Sequence, residues 1–248
     1  MSFPEPLTLQ AYNLQVVYEY ALLLSLFVML IVSWFLRMAV FNRITCATYL
    51  ECPFLELFWG SFPIVLLVVM CGISTYALYV NDETYKSPAL DVTVTGHQWY
   101  WSYKIMVGEG CDYMEWDSRL VLREEGSEIG FLDLLTVDRP LMVPINVLVR
   151  VFVTSEDVIH SWGAPGMGIK MDAIPGRLTR GLFELKLPGI IFGMCAELCG
   201  AMHSMMPTIV EGVPLAVYES WLGYLAGSSD LGVVDPGPSG PGSRYWSV

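Results

Sequence analysis

From Leu57 to Asn81 the chain reads LFWGSFPIVLLVVMCGISTYALYVN, twenty-five residues without a charge. A transmembrane helix needs about 20 predominantly apolar residues, so this run is long enough to span a bilayer. Gly60, Pro63 and Gly72 are no objection, because both residue types are commoner in membrane helices than in soluble ones. Upstream, Tyr20 to Leu36 is also uncharged, and the apolar run continues past Arg37 to Phe41. A soluble protein would have to hide two such runs side by side, and two spans account for them more simply. The expected boundaries are an N-terminal segment over 1–17, a helix over 18–41, a connecting loop over 42–56 and a second helix over 57–81.

Two spans return the chain to the side on which it began. Arg37 near the end of the first span and Arg43 in the connecting loop are the only basic residues before Lys86. The positive-inside rule places that loop on the cytoplasmic or matrix side, and the large C-terminal part on the other. Met1 to Glu19 contains no Lys or Arg, whereas a secretory signal has a basic start and a mitochondrial transit peptide is rich in Arg.

Beyond Asn81 the composition changes. Residues 82–248 hold 21 Asp plus Glu against 11 Lys plus Arg, most of the net charge of −12. An acidic chain offers no electrostatic footprint for nucleic acid, and none is expected as a partner. In Asn146-Val147-Leu148-Val149-Arg150-Val151-Phe152-Val153 the four valines share one face, as a half-buried strand requires. Gly181 to Leu187 alternates likewise. Short strands punctuated by Pro140, Pro144, Pro175, Pro188 and Pro207 predict an all-β sandwich or barrel within 82–226, with a short helix over 215–225. The tail, 227–248, is rich in Gly, Pro and Ser and is expected to be extended.

One loop in this region carries chemistry. Cys195-Ala196-Glu197-Leu198-Cys199-Gly200-Ala201-Met202-His203-Ser204-Met205-Met206 sets two thiols, an imidazole and a thioether within twelve residues, and His160 lies upstream. Thiolate and thioether are soft ligands, and imidazole suits copper equally well. Structural zinc sites show tighter Cys and His pairs and no call for Met. A mononuclear blue-copper site uses a single Cys. A Cys195–Cys199 disulfide would leave the histidines unexplained. The donor set favours a pair of copper ions. The other thiols, Cys46, Cys52, Cys71 and Cys111, have no regular spacing and read as small apolar fillers or free thiols.

Four segments together make the chain resemble subunit II of the cytochrome c oxidases. They are Gly96-His97-Gln98-Trp99-Tyr100-Trp101-Ser102-Tyr103, then Val153 to Trp162, then Asp172-Ala173-Ile174-Pro175-Gly176-Arg177-Leu178, then the Cys195–Met206 loop. The resemblance implies a two-helix transmembrane hairpin followed by a cupredoxin-like sandwich. It also implies a dinuclear copper centre (CuA), with Cys195 and Cys199 bridging both metals. His160 and His203 would each bind one copper, with Met206 and the Glu197 carbonyl as weak ligands. The Glu197 side chain would bind magnesium at the contact with subunit I. Trp99 matches the position at which the family's electrons arrive, and Glu56 the inner mouth of a proton pathway.

Cytochrome c is the implied donor, and subunit I and membrane lipid are the other partners. An acidic surface steers a basic donor; the candidate acids are Glu109, Asp112, Glu115, Asp117, Asp138, Glu156 and Asp157. With the bare N-terminus, the resemblance implies a mitochondrial inner-membrane protein whose C-terminal domain faces the intermembrane space. A quinol oxidase subunit II scaffold, in which the copper loop is lost, and a copper chaperone or storage module are the alternatives. Nitrous oxide reductase shares the copper loop but not the two-helix anchor.

Overall fold

The computed structural model describes residues 3–44, 51–81, 87–106, 113–122 and 133–229. It divides into two units, Asn13–Glu83 and a second made of Met1–Tyr12 with Thr84–Val248.

The first unit is helical. Helix α1 spans Leu9–Phe41 and α2 spans Pro53–Asn81, each long and apolar enough to cross a membrane. Their apolar side chains face outward, as at Leu30 and Leu67. The Asn13 side-chain amide donates to Asn81 Oδ1 at 2.8 Å and joins the start of α1 to the end of α2. Pro63 inside α2 leaves the Trp59 carbonyl without its helical donor, a defect that membrane helices tolerate. Pro53 opens α2, a position where its missing N–H is not needed, and Glu56 in that first turn complements the positive helix end.

Helix α1 starts nine residues before the expected boundary at 18. Thr8 is the reason. Its Oγ1 accepts from the Ala11 backbone N–H at 3.0 Å, an N-cap geometry. The same hydroxyl donates to the Met167 carbonyl at 2.7 Å. The cap and the first residues of the helix, to Tyr12, thus belong to the second unit. Leu7 N–H donates to the Gly166 carbonyl, Lys186 N–H donates to the Leu7 carbonyl, and Gln10 Nε2 donates to the Leu182 carbonyl. Gly168 adopts φ 67°, and a Cβ there would lie 2.7 Å from the Ala11 nitrogen, so the close approach requires glycine.

The second unit is a sandwich of two five-stranded sheets. Its strands are β1 Leu90–His97, β2 Tyr100–Met106, β3 Tyr113–Ser118, β4 Leu141–Pro144, β5 Leu148–Ser155, β6 His160–Ala164, β7 Ile169–Ala173, β8 Thr179–Glu184, β9 Gly189–Cys195 and β10 Pro207–Val213. One sheet runs β3-β2-β1-β5-β8 and the other β4-β10-β9-β6-β7. Val149, Val151 and Val153 of β5 are fully buried, as the alternation requires. Val147 precedes the strand because Asn146, in the left-handed region at φ 57°, makes the turn before it. Phe183 and Leu185 close the core from the β8 side.

The two sheets are joined by a polar node within the apolar core. Tyr103 Oη lies 2.6 Å from Thr208 Oγ1, and Trp162 Nε1 donates to the same oxygen at 3.1 Å. Burial outweighs both hydrogen bonds and pushes Tyr103 up to about 12, so the phenol keeps its proton. Helix α3, Leu215–Ser229, runs four residues beyond its predicted end and covers β4 through Tyr218, Met142 and Val213. Its Trp221 meets Trp116 of β3 edge-on at 5.7 Å.

Thr8→Val keeps the shape and removes both hydrogen bonds of the cap. Losing the cap costs about 1 kcal/mol and the buried carbonyl bond about 1 kcal/mol more. Thermal unfolding of the full chain is expected to show a melting temperature lower by roughly 4–8 °C.

Candidate metal centre

The site is built by strand register. Strand β6 pairs with β9 so that Trp162 stands opposite Cys195, and β9 pairs with β10 so that Met194 stands opposite Pro207. His160, at the start of β6, is therefore delivered beside Cys195, and the loop 196–206 has both ends fixed in one sheet. Cys195 N–H donates to the Met206 carbonyl and Ala196 N–H to the Ser161 carbonyl, which close the loop's base. A single 3₁₀ turn, His203–Met205, then lifts His203 back over the thiols.

All six expected ligand groups converge. Cys195 Sγ lies 3.9 Å from Cys199 Sγ and 3.9 Å from His160 Nδ1. Cys199 Sγ lies 3.5 Å from both His203 Nδ1 and Met206 Sδ. The Glu197 carbonyl is 3.3 Å from Cys195 Sγ. The ligand atoms of His160, Cys195 and Cys199 all lie within 4.8 Å of one another, and these three residues are buried. Both cysteines are free thiols, so the disulfide alternative does not hold in this structure.

The electrostatics favour a cation there. Burial raises the Cys195 thiol, but hydrogen bonds from His160, the Ser161 and Glu197 backbone and His203 outweigh it and bring it below the ordinary thiol range. Cys199 is driven the other way, by burial first and then by the neighbouring Cys195 sulfur. Two thiolates side by side in a dry loop resist joint ionisation, and a bound cation relieves that repulsion. The paired soft sulfurs, two imidazoles and a thioether match the donor preferences of copper.

His160 is aimed from behind. Its Nε2 lies 2.8 Å from Asp157 Oδ1, which leaves Nδ1 toward the thiols. Burial raises the Asp157 carboxyl, but its bonds to His160 and to the Val158 and Gln98 N–H groups outweigh this and hold it below the usual range. An ionised carboxylate only accepts, so it fixes the proton on Nε2. The Trp101 ring meets His160 edge-on, and Trp101 Nε1 donates to the Met206 carbonyl at 3.3 Å. Gly96 makes room for the imidazole, since a Cβ there would lie 2.9 Å from His160 Cδ2.

Trp99 and Gln98 form the two-residue tip of the β1–β2 hairpin, closed by the His97–Tyr100 pair. The half-buried Trp99 indole lies against the metal loop at Gly200, where a Cβ would stand 3.2 Å from the Trp99 ring. Gly200 also adopts φ 124°, so both its space and its conformation call for glycine. Trp99 Nε1 is buried without a hydrogen-bond partner among the described residues.

The candidate docking acids divide sharply. Glu109 and Asp112 lie outside the described residues. Asp117 accepts from Ser102 Oγ and Arg119 Nη2, both at 2.7 Å, and Arg119 also lies over the Tyr100 ring. Asp138 accepts from the backbone N–H groups of Arg119 and Arg139. Asp157 serves His160. Glu115 is exposed, and Glu156 is 72% exposed with His97 Nδ1 at 3.7 Å. The Glu197 carboxylate is exposed on the loop, and Glu56 belongs to the helical unit. The spacing of residues gave no signal for Gln98 or Gly200. Asp157 three residues before His160 in a tight turn was a readable sign of a supporting carboxylate.

Fold and site together define a β-sandwich subunit with a thiolate–imidazole metal loop and an apolar two-helix segment. The family model for the periplasmic domain of cytochrome c oxidase subunit II matches residues 90–213. Cytochrome c oxidase subunit 2 of Metridium senile is 41% identical over 203 residues, 80% of this chain and 78% of that protein. The Simulium vittatum protein of the same name is 38% identical over 207 residues, 83% of this chain and 87% of that one. The crystal structure of the periplasmic domain of subunit II of cytochrome oxidase from Bradyrhizobium japonicum is 36% identical. It superposes with a TM-score of 0.51 over 58% of this chain and 97% of that domain. The chain belongs to the cytochrome c oxidase subunit II family. It is thus a membrane-anchored subunit of a cytochrome oxidase complex, with subunit I implied as its neighbour, and its Cys/His cluster is consistent with copper binding.

Asp157→Ala leaves His160 without its orienting carboxylate. Copper affinity of the full chain, measured by competition with a chelator, is expected to fall tenfold to a hundredfold, the usual cost of losing a ligand's supporting partner (about 10–100-fold).

Proposed function

We propose that this chain is the electron-accepting subunit of its oxidase, with a dinuclear copper centre in the 195–206 loop and cytochrome c as donor at Trp99. Electrons leave it for the haem and copper centres of subunit I, where oxygen is reduced and proton pumping is driven. The observation that carries this reading is the contact between the Trp99 indole and Gly200, the residue next to Cys199.

Cys195 and Cys199 would hold both metals, with His160 and His203 at either side and Met206 and the Glu197 carbonyl as weaker donors. Two coppers held there would supply a one-electron redox site. The chain's own contribution is rigidity and dryness. The β6–β9–β10 ladder fixes the loop base, Asp157 fixes the His160 tautomer, and the buried sulfurs keep water out.

Glu156 and Glu115 are the described acids best exposed for a basic donor, and Glu109 and Asp112 complete the candidate surface. The exposed Glu197 carboxylate is read as a magnesium donor toward subunit I, since magnesium takes few protein oxygens. Glu56 is read as belonging to a proton pathway into that subunit. The reading places the complex in the mitochondrial inner membrane with this domain in the intermembrane space. Convergence of all six donors leaves the copper-free scaffold without support, and a storage module has no use for an indole seated on the loop.

Trp99→Phe keeps the apolar packing and removes the indole. Rapid mixing of the intact oxidase with reduced cytochrome c is expected to show copper reduction at least about tenfold slower at saturating donor. Copper content and KM should stay unchanged, the pattern for an interaction that serves the reaction rather than binding. An unchanged rate would remove Trp99 from the path.

A further inference from the structure

We propose that Gln98 is a positioning residue that ties the electron-accepting indole to both ligand-bearing segments of the metal centre. The inference rests on the Trp99 reading above and names the part that holds Trp99 in place. Gln98 has two arms. Its backbone N–H donates to Asp157 Oδ2 at 2.6 Å, and Asp157 Oδ1 in turn holds His160 Nε2 at 2.8 Å. Its side-chain Nε2 donates to the Cys199 carbonyl at 2.8 Å. One residue therefore touches the turn that aims a histidine ligand and the peptide that carries a cysteine ligand.

The placement of Gln98 makes this tie effective. It shares the two-residue tip of the β1–β2 hairpin with Trp99, so any shift of Gln98 moves the indole. The three segments it joins are distant in sequence, and each belongs to a different turn of the sandwich. At Gly200 a Cβ would lie 3.1 Å from Gln98 Nε2 and 3.2 Å from the Trp99 ring, so amide and indole clasp the loop at one point. Misplacing a reacting group by about 1 Å can cost 10²-fold in rate. A donor hydrogen bond to the Cys199 carbonyl also orients the sulfur that the same residue presents.

The competing roles for Gln98 are a surface contact for the donor and a simple brace for the loop. Gln98→Met separates them, because it keeps the length of the side chain and the backbone N–H to Asp157 while removing the bond to Cys199. In the intact oxidase we expect full copper content, an unchanged KM for cytochrome c, a shifted copper hyperfine splitting in the paramagnetic resonance spectrum, and copper reduction slower by about tenfold at saturating donor. A rate loss that merely follows copper loss would make Gln98 a brace and overturn the proposal. A change in KM alone would make it a docking contact, with the same consequence, and an unchanged rate and spectrum would overturn it outright. Trp99→Phe in parallel separates the two readings. If that variant kept its rate while Gln98→Met slowed reduction and shifted the spectrum, Gln98 would stand as a positioning residue of the metal loop and the Trp99 reading would fall. If Trp99→Phe slowed reduction and Gln98→Met did neither, the Gln98 proposal would fall alone.

Discussion

The pairing of β6 with β9 at Trp162 and Cys195 is the constraint on which the site depends. His160 and Cys195 are far apart in the chain, and only this register brings an imidazole nitrogen within 3.9 Å of a thiol sulfur. Side chains alternate along a strand, so a slip of one residue would turn His160 to the opposite face. The core prevents such a slip. Trp162 and Tyr103 meet at the Thr208 hydroxyl, and Trp101 reaches from the other sheet to the Met206 carbonyl. Each of these bonds is satisfied in one register only, and the surrounding apolar burial makes an unpaired indole or phenol costly. The sandwich thus holds the metal loop by the same contacts that hold its own sheets together.

The loop itself is electrostatically unfinished without a cation. Hydrogen bonds led by His160 outweigh burial and draw the Cys195 thiol below the ordinary range, while burial first, and then the Cys195 sulfur, push Cys199 above it. Asp157 accepts from the Gln98 and Val158 N–H groups and from Ser155 Oγ, holds His160 Nε2, and its charge also opposes ionisation of Cys199. Negative charge is in this way concentrated on the metal loop, where a bound metal neutralises it. On the outer surface several acids are already engaged by Arg119 and by backbone N–H groups. The negative field offered to a basic partner comes from fewer side chains than composition alone implies.

Much of this was legible in the sequence, for physical reasons that differ by element. The apolar runs announce themselves because a bilayer tolerates so few charges, and the valines of β5 because a pleated strand repeats every second residue. The clustering of donors was legible because four soft or imidazole groups in twelve residues have few other uses. The start of α1 was not, because Asn13, Gln15 and Glu19 break the apolar run while the helix continues back to its cap at Thr8, whose partner at Met167 is distant in sequence. The double role of Gln98 was equally hidden. It depends on two turns meeting a third, and no local pattern records that. Asp157 is exposed, as its charge suggests, but its bond to His160 depends on the turn at Ser155 and is not written in the charge.

The central claim is that this loop holds two coppers acting as one redox unit. Its most direct test is the electron paramagnetic resonance spectrum of the full chain in detergent, loaded with copper and quantified for metal. The account predicts two coppers per chain and a seven-line hyperfine pattern, the signature of one unpaired electron shared equally by two nuclei. A four-line pattern with one copper per chain would contradict it, and the Cys195–Met206 loop would then be a mononuclear site.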